Sequence, residues 1–151
     1  MPDVFIHKLT VPVESIDMND HVNNLEYLRW MQEIAIQHSS AQGWPIERYI
    51  QTGSCWVVRS HFIEYLQPAF LGDSISILTW VAGMKKGSSP RKYLFWRHND
   101  QKVLVAAETL WVFVDLKTGR PRPIPEALQS AFDIVTESED ALLKRVRLSD
   151  S

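Results

Sequence analysis

The sequence predicts an α+β fold in which an antiparallel sheet curls around one long helix. Two patterns carry that expectation: a single strong helical period between Asn23 and Gly43, and a period of two through most of the chain that follows. A third is the placement of turn residues, which cut the later half into strands that can meander.

Taken in order, Val4 to Val13 alternates loosely and ends near Pro12, as an opening or edge strand would. The polar run from Ser15 to Asn24 is rich in side chains that bond nearby backbone, so a loop is expected there. That loop feeds the helix. Asn23 suits the N-cap, Glu26 falls where a capping box places its carboxylate, and Gly43 stands where a left-handed residue ends a helix. Tyr27, Leu28, Trp30, Met31, Ile34, Ala35 and Ile36 make an apolar arc wider than a surface helix needs, so several sides should be covered.

Beyond Gly43, Trp56, Val58, Ser60 and Phe62 oppose Val57, Arg59, His61 and Ile63, and residues 74–81 alternate in the same way. Pro68 and Gly72-Asp73 punctuate the join, and Gly87-Ser88-Ser89-Pro90 separates a third strand, Lys92 to His98. Asn99-Asp100 turns the chain into a last long strand, Val103 to Asp115, and Pro125-Glu126 suits a short closing helix. Residues 1–135 read as one domain, and 136–151 as a charge-rich tail, either a mobile end or a marginal helix. Four or five strands leave two open edges, for which a dimer joining two sheets is a natural solution.

A chain of 151 residues has room for one domain and none for a separate cofactor domain. The net charge of -2, from 16 Lys and Arg against 18 Asp and Glu, supplies no field for nucleic acid or an anionic membrane. No apolar run approaches the roughly 20 residues of a membrane span. The opening residues lack the pattern of a signal peptide, so a cytoplasmic protein is expected; Cys55, alone, agrees with a reducing compartment but also suits a secreted protein without bridges. His7, His38, His61 and His98 show no metal-ligand spacing, and no serine-nucleophile elbow, Walker loop or dinucleotide loop occurs. No metal or cofactor is therefore expected.

The run Asp17-Met18-Asn19-Asp20-His21-Val22-Asn23-Asn24-Leu25-Glu26-Tyr27 resembles the opening signature of the 4-hydroxybenzoyl-CoA thioesterase family of hotdog proteins. It is especially similar to the Asp-x-Asn-x-His-Val-Asn-Asn pattern of plant acyl-ACP thioesterases. The likeness continues through Ile63-Glu64-Tyr65, Pro68, Gly72-Asp73 and Thr118-Gly119-Arg120-Pro121, covering roughly residues 4–132. The resemblance implies a hotdog fold, with a five-stranded antiparallel sheet wrapped on a central helix, and dimers or tetramers with active sites between subunits. It further implies hydrolysis of acyl-CoA or acyl-ACP. Two departures stand out: Ser15 replaces the first acid of the Asp-x-Asp found in many bacterial members, and the plant enzymes' later acidic residue has no secure counterpart.

A thioester carbonyl needs a donor for its oxygen and a nucleophile or base for its carbon. The start of the helix presents unpaired N–H groups, which makes the Asn24 amide a candidate oxyanion donor. The resemblance gives Asp17 the role of general base or nucleophile. His21 is a candidate to orient Asp17, bind substrate or move a proton, and Asn19 to position water or the carboxylate. Glu33 is a lesser candidate from the helix. Lys85, Lys86, Ser88 and Arg91, around the turn after the second strand, are candidates for the phosphates of coenzyme A. Two other readings are a hotdog hydratase or dehydratase, and a non-catalytic acyl-CoA sensor.

Overall fold

The computed structural model describes the backbone of residues 3–150 and the side chains of residues 3–147. Five strands form one antiparallel sheet: β1 (Val4–Thr10), β2 (Ser54–Tyr65), β3 (Ser74–Val81), β4 (Ser88–Arg97) and β5 (Lys102–Asp115), in the order β1-β3-β4-β5-β2. Helix α1 (Asn24–Ala41) lies in the curve of this sheet. Tyr27, Trp30, Met31 and Ile34 bury one side of it against Ile75, Ile77, Tyr93, Phe95 and Val105. Leu28 is only half-buried and Ile36 is 48% exposed, so the covered arc is narrower than the sequence suggests. Gly43, at φ 90°, ends the helix in the left-handed conformation expected of it.

Three local features depart from the sequence reading. A second helix, α2 (Ile46–Thr52), follows directly after α1, between Pro45 and Gly53 at φ 73°. A bulge at Arg59 shifts the β2–β5 register between Val58 and Ser60. Cross-strand pairing therefore puts Trp56 and Val58 on the helix side before the bulge and His61, Ile63 and Tyr65 after it. The third strand begins at Ser88, four residues early, with Pro90 inside it. Pro90 accepts from the Ala82 N–H on the β3 side, just beyond the last pair of that ladder, so its missing N–H falls at the ladder's end and leaves the β4–β5 pairing intact.

Beyond α3 (Glu126–Gln129), the tail region forms α4 (Glu139–Asp150). Leu142, Leu143 and Val146 pack on the sheet's outer face against Val4, Leu78, Trp80, Leu94 and Trp96. The helix alternative therefore describes this segment, and the core extends past residue 135. Met1, Pro2 and Ser151 lie outside the described residues. At one edge of the sheet, β2 carries Phe62, 64% exposed, and Tyr65, 44% exposed, on a strand paired with β5 on its inner side alone. No helix among the described residues is long and apolar enough to cross a membrane.

Candidate active site

The site begins with the turn that precedes α1. Asp17 donates its N–H to the His21 carbonyl at 2.8 Å, while its Oδ1 accepts from the Asn19 N–H at 2.8 Å and, at the longer 3.4 Å, from the His21 N–H. Asp20 closes this turn in the left-handed region at φ 62°. Asn19 and His21 thus hold Asp17 through their backbones. The other carboxylate oxygen, Oδ2, meets no protein donor among the described residues. The His21 ring stands edge-on to Phe70, with 5.2 Å between centroids, and does not bond to the Asp17 carboxylate.

Asn23 caps α1 as expected, its Oδ1 accepting from the Leu25 N–H at 2.9 Å. The reciprocal half of the capping box does not form. Asn23 gives its own N–H to the Ser15 carbonyl, and Glu26 is held instead by Arg29 at 2.7 Å and by the Ser15 hydroxyl at 2.6 Å. Arg29 first and Ser15 second hold the Glu26 carboxyl below its usual pKa. With the cap spent on Leu25, the Asn24 N–H has no protein acceptor among the described residues.

Asn24 is part of the wall of a cleft of about 160 Å³, lined also by His21, Tyr27, Tyr65, Gln67 and Pro68. Asp17 and Asn19 lie on the adjoining turn and are not part of its wall. Burial pushes the Tyr27 phenol up to about 12, so it is a neutral donor or acceptor at ordinary pH. Arg97 braces the far wall: Nη1 donates to the Pro68 carbonyl and to Asp73, each at 3.0 Å, and Nη2 pairs with Asp100 at 2.8 Å. The two carboxylates, Asp100 foremost, raise the Arg97 pKa further.

The candidate phosphate residues lie elsewhere. Lys85 and Lys86 are exposed in the β3–β4 connection, where the Lys85 N–H bonds the Ser88 carbonyl at 2.8 Å. Ser88 opens β4 and Arg97 closes it, and nine residue steps make about 30 Å of strand between the two ends. One chain therefore does not bring Lys85, Lys86 and Ser88 beside Asn24. The Arg91 side chain is parted from the lysines as well, since it turns inward on the helix side and is 6% exposed. Glu33 is a surface residue paired with Arg29 at 2.8 Å. Among the described residues, no three His, Cys, Asp or Glu side chains group closely enough to hold a metal ion.

A larger cavity, about 320 Å³, lies between α1, α2 and the strands; Trp56 and Trp111, whose strand spacing suits either a core or an acyl tunnel, line it, whereas Trp80 and Trp96 pack on the outer face. Trp44, Tyr49, Cys55, Trp56, Trp111 and Phe132 supply much of its wall. The spacing of Ile46, Tyr49 and Ile50 between Pro45 and Gly53 is the signal that marks α2, and with it this space.

Comparison with known proteins bears on this architecture. A family model described as the thioesterase-like superfamily matches residues 11–132. A chloroplastic palmitoyl-acyl carrier protein thioesterase from Gossypium hirsutum is 28% identical over 133 residues, covering 80% of this chain and 32% of the relative. A similar enzyme from Cuphea hookeriana is 26% identical over 109 residues, 68% of this chain and 26% of its own. The chain thus spans about a quarter to a third of these plant relatives. Among solved structures, a Staphylococcus aureus protein in complex with CoA superposes with a TM-score of 0.81 at 16% identity, over 91% of both chains. A 1,4-dihydroxy-2-naphthoyl-CoA thioesterase from Synechocystis superposes at 0.78 and 19% identity, over 85% of this chain and 94% of its own. The likenesses establish the hotdog fold that the sequence motif implies. With the family model running from before the Asp17 turn to the end of the β5–α3 region, the chain belongs to the thioesterase-like superfamily.

Proposed function

We propose that this chain hydrolyses an acyl thioester carried on coenzyme A or acyl carrier protein. The observation that carries the reading is Asn24, first in α1, whose N–H is without a protein acceptor among the described residues and which lines a cleft beside the Asp17 turn. A carbonyl oxygen bonded to that amide gains most as negative charge develops on it, and the positive end of the helix adds to the effect. Asp17 acts through Oδ2. It either takes the proton of a water that attacks the carbonyl carbon, or attacks that carbon itself to form an acyl-aspartate anhydride that water then opens. In both routes the C–S bond breaks and the thiolate leaves to be protonated. His21, on the cleft wall, is placed to give that proton.

Lys85, Lys86 and Ser88 take the carrier's phosphates in this reading, and they do so across a dimer. If β2 pairs antiparallel with a second copy of itself, the Ser54 end of one strand lies beside the Tyr65 end of the other. That arrangement covers the exposed Phe62 edge and sets one subunit's lysines near the partner's Asn24 end. A cytoplasmic location fits the reading, since a reducing compartment keeps the free thiol of Cys55 reduced.

The test is release of free thiol from short, long and aromatic acyl-CoA and acyl-ACP thioesters. Turnover by the wild type should fall by about 10²–10⁴-fold in Asp17→Ala and Asp17→Asn, with the fold retained. Near-normal activity in either variant removes Asp17 from the mechanism. Acyl-CoA binding without any thiol release by the wild type means a non-catalytic protein.

A further inference from the structure

The 320 Å³ cavity is apolar for most of its surface, yet Arg91 forms part of its wall. Arg91 is the one charged residue among those that line the space. Its Nη1 donates to His38 Nδ1 at 2.9 Å and to Thr79 Oγ1 at 3.1 Å, both neutral acceptors in that role. No carboxylate pairs with it among the described residues, and Nε and Nη2 meet no protein acceptor. Burial lowers the Arg91 pKa, with only the neighbouring Tyr93 and Tyr49 phenols opposing the shift. A guanidinium nevertheless stays charged at neutral pH, so the fold carries a buried cation in the wall of a space of ligand size.

Most of the other polar groups nearby are already engaged, although the Trp111 Nε1 donor in the same wall has no hydrogen-bond partner among the described residues. Trp56 Nε1 donates to the Tyr49 hydroxyl at 3.1 Å, Tyr49 to Ser39 Oγ at 2.7 Å, and Ser39 to the Trp44 carbonyl at 2.8 Å. Ser89 is tied to the Gly83 carbonyl at 2.7 Å. This chain fixes α2 and β2 around the cavity, and Arg91 is the charged group in its wall. A buried charge is costly unless paired, and a planar carboxylate matches the guanidinium fork.

We propose that this cavity binds an organic acid with an apolar body, its carboxylate paired with Arg91 and its hydrocarbon or aryl portion against Trp44, Trp56 and Trp111. The binding stands on Arg91 and the cavity alone. The source of the acid rests on the thioesterase reading: it is either the free acid released by hydrolysis or an acyl group bearing a second carboxylate at its far end.

The experiment is equilibrium binding of decanoate and decanol, followed by tryptophan fluorescence, to the wild type and to Arg91→Gln. The wild type should bind the acid about tenfold or more tightly than the alcohol, and Arg91→Gln should erase that preference while still binding the alcohol. Retained alcohol binding shows that the variant folds, and the wild-type comparison needs no variant. Equal binding of acid and alcohol by the wild type overturns the proposal, as does a preference that survives in Arg91→Gln. Neither result depends on turnover, so failure here is separate from failure of the thioesterase reading. Where both hold, faster hydrolysis of an ω-carboxyacyl-CoA than of the matched monocarboxylic thioester assigns the cavity to the acyl group. Equal rates with competitive inhibition by decanoate assign it to the product.

Discussion

The two ends of the sheet are built for different work. At the Asn24 end, a cleft of about 160 Å³ carries an open backbone donor, His21 and the Tyr27 and Tyr65 phenols, braced by the Arg97 ion pairs. At the Trp56 end, the cavity is about twice as large and apolar, with the Arg91 cation in its wall and Lys85 and Lys86 in the loop nearby. The first has groups suited to bond-breaking and little room for an acyl chain, whereas the second has room and charge for a ligand but no evident nucleophile and base pair. Roughly 30 Å of strand separates the Lys85–Ser88 end of β4 from its Arg97 end, while along α1 Tyr27 of the cleft and Ala35 of the cavity lie about 12 Å apart. Antiparallel pairing of β2 would set unlike ends side by side.

The largest expected effect comes from blocking that pairing. Phe62→Lys places a charge on the exposed face of the free edge, where it costs the single chain little and opposes strand addition. Light scattering should find a monomer, with thiol release lowered by about 100-fold or more, the same order as loss of a catalytic group. An active monomer would show that each chain's two ends work independently. A smaller effect is expected at a site remote from both ends. Leu142, 1% exposed on the buried side of α4, should cost about 2–4 kcal/mol of stability in denaturant titration when changed to Ala, with the turnover of the folded protein unaltered. Altered turnover there would mean that α4 on the outer face communicates with the cleft.

The Asn24 end was the more legible of the two, for a physical reason. Its turn and cap are built by residues within a few positions of one another, so Asn23, Gly43 and the polar loop could be read from spacing. Glu26 shows the limit: spacing suggests a capping box, but Ser15, eleven residues earlier, and Arg29 take the carboxylate. At the Trp56 end the decisive features are tertiary. Arg91 alternates with Tyr93 and Phe95, which marks an inward position, yet beside Lys85, Lys86 and Lys92 it reads as part of a surface cluster. The bulge at Arg59 breaks an alternation that the sequence presents as continuous, and α2 is short enough to hide between two strong patterns.

The most direct test of the two-ended account is complementation between two inactive chains. Asp17→Ala spoils the Asn24 end and leaves the lysines, while the double variant Lys85→Glu/Lys86→Glu does the reverse. Each is assayed alone for thiol release, and then the two are unfolded, mixed and refolded together. If the ends cooperate across a two-fold axis, the mixture regains about a quarter of wild-type activity, because half the dimers hold one intact composite site. A mixture no more active than the average of its components would contradict the account and place the whole site within a single chain.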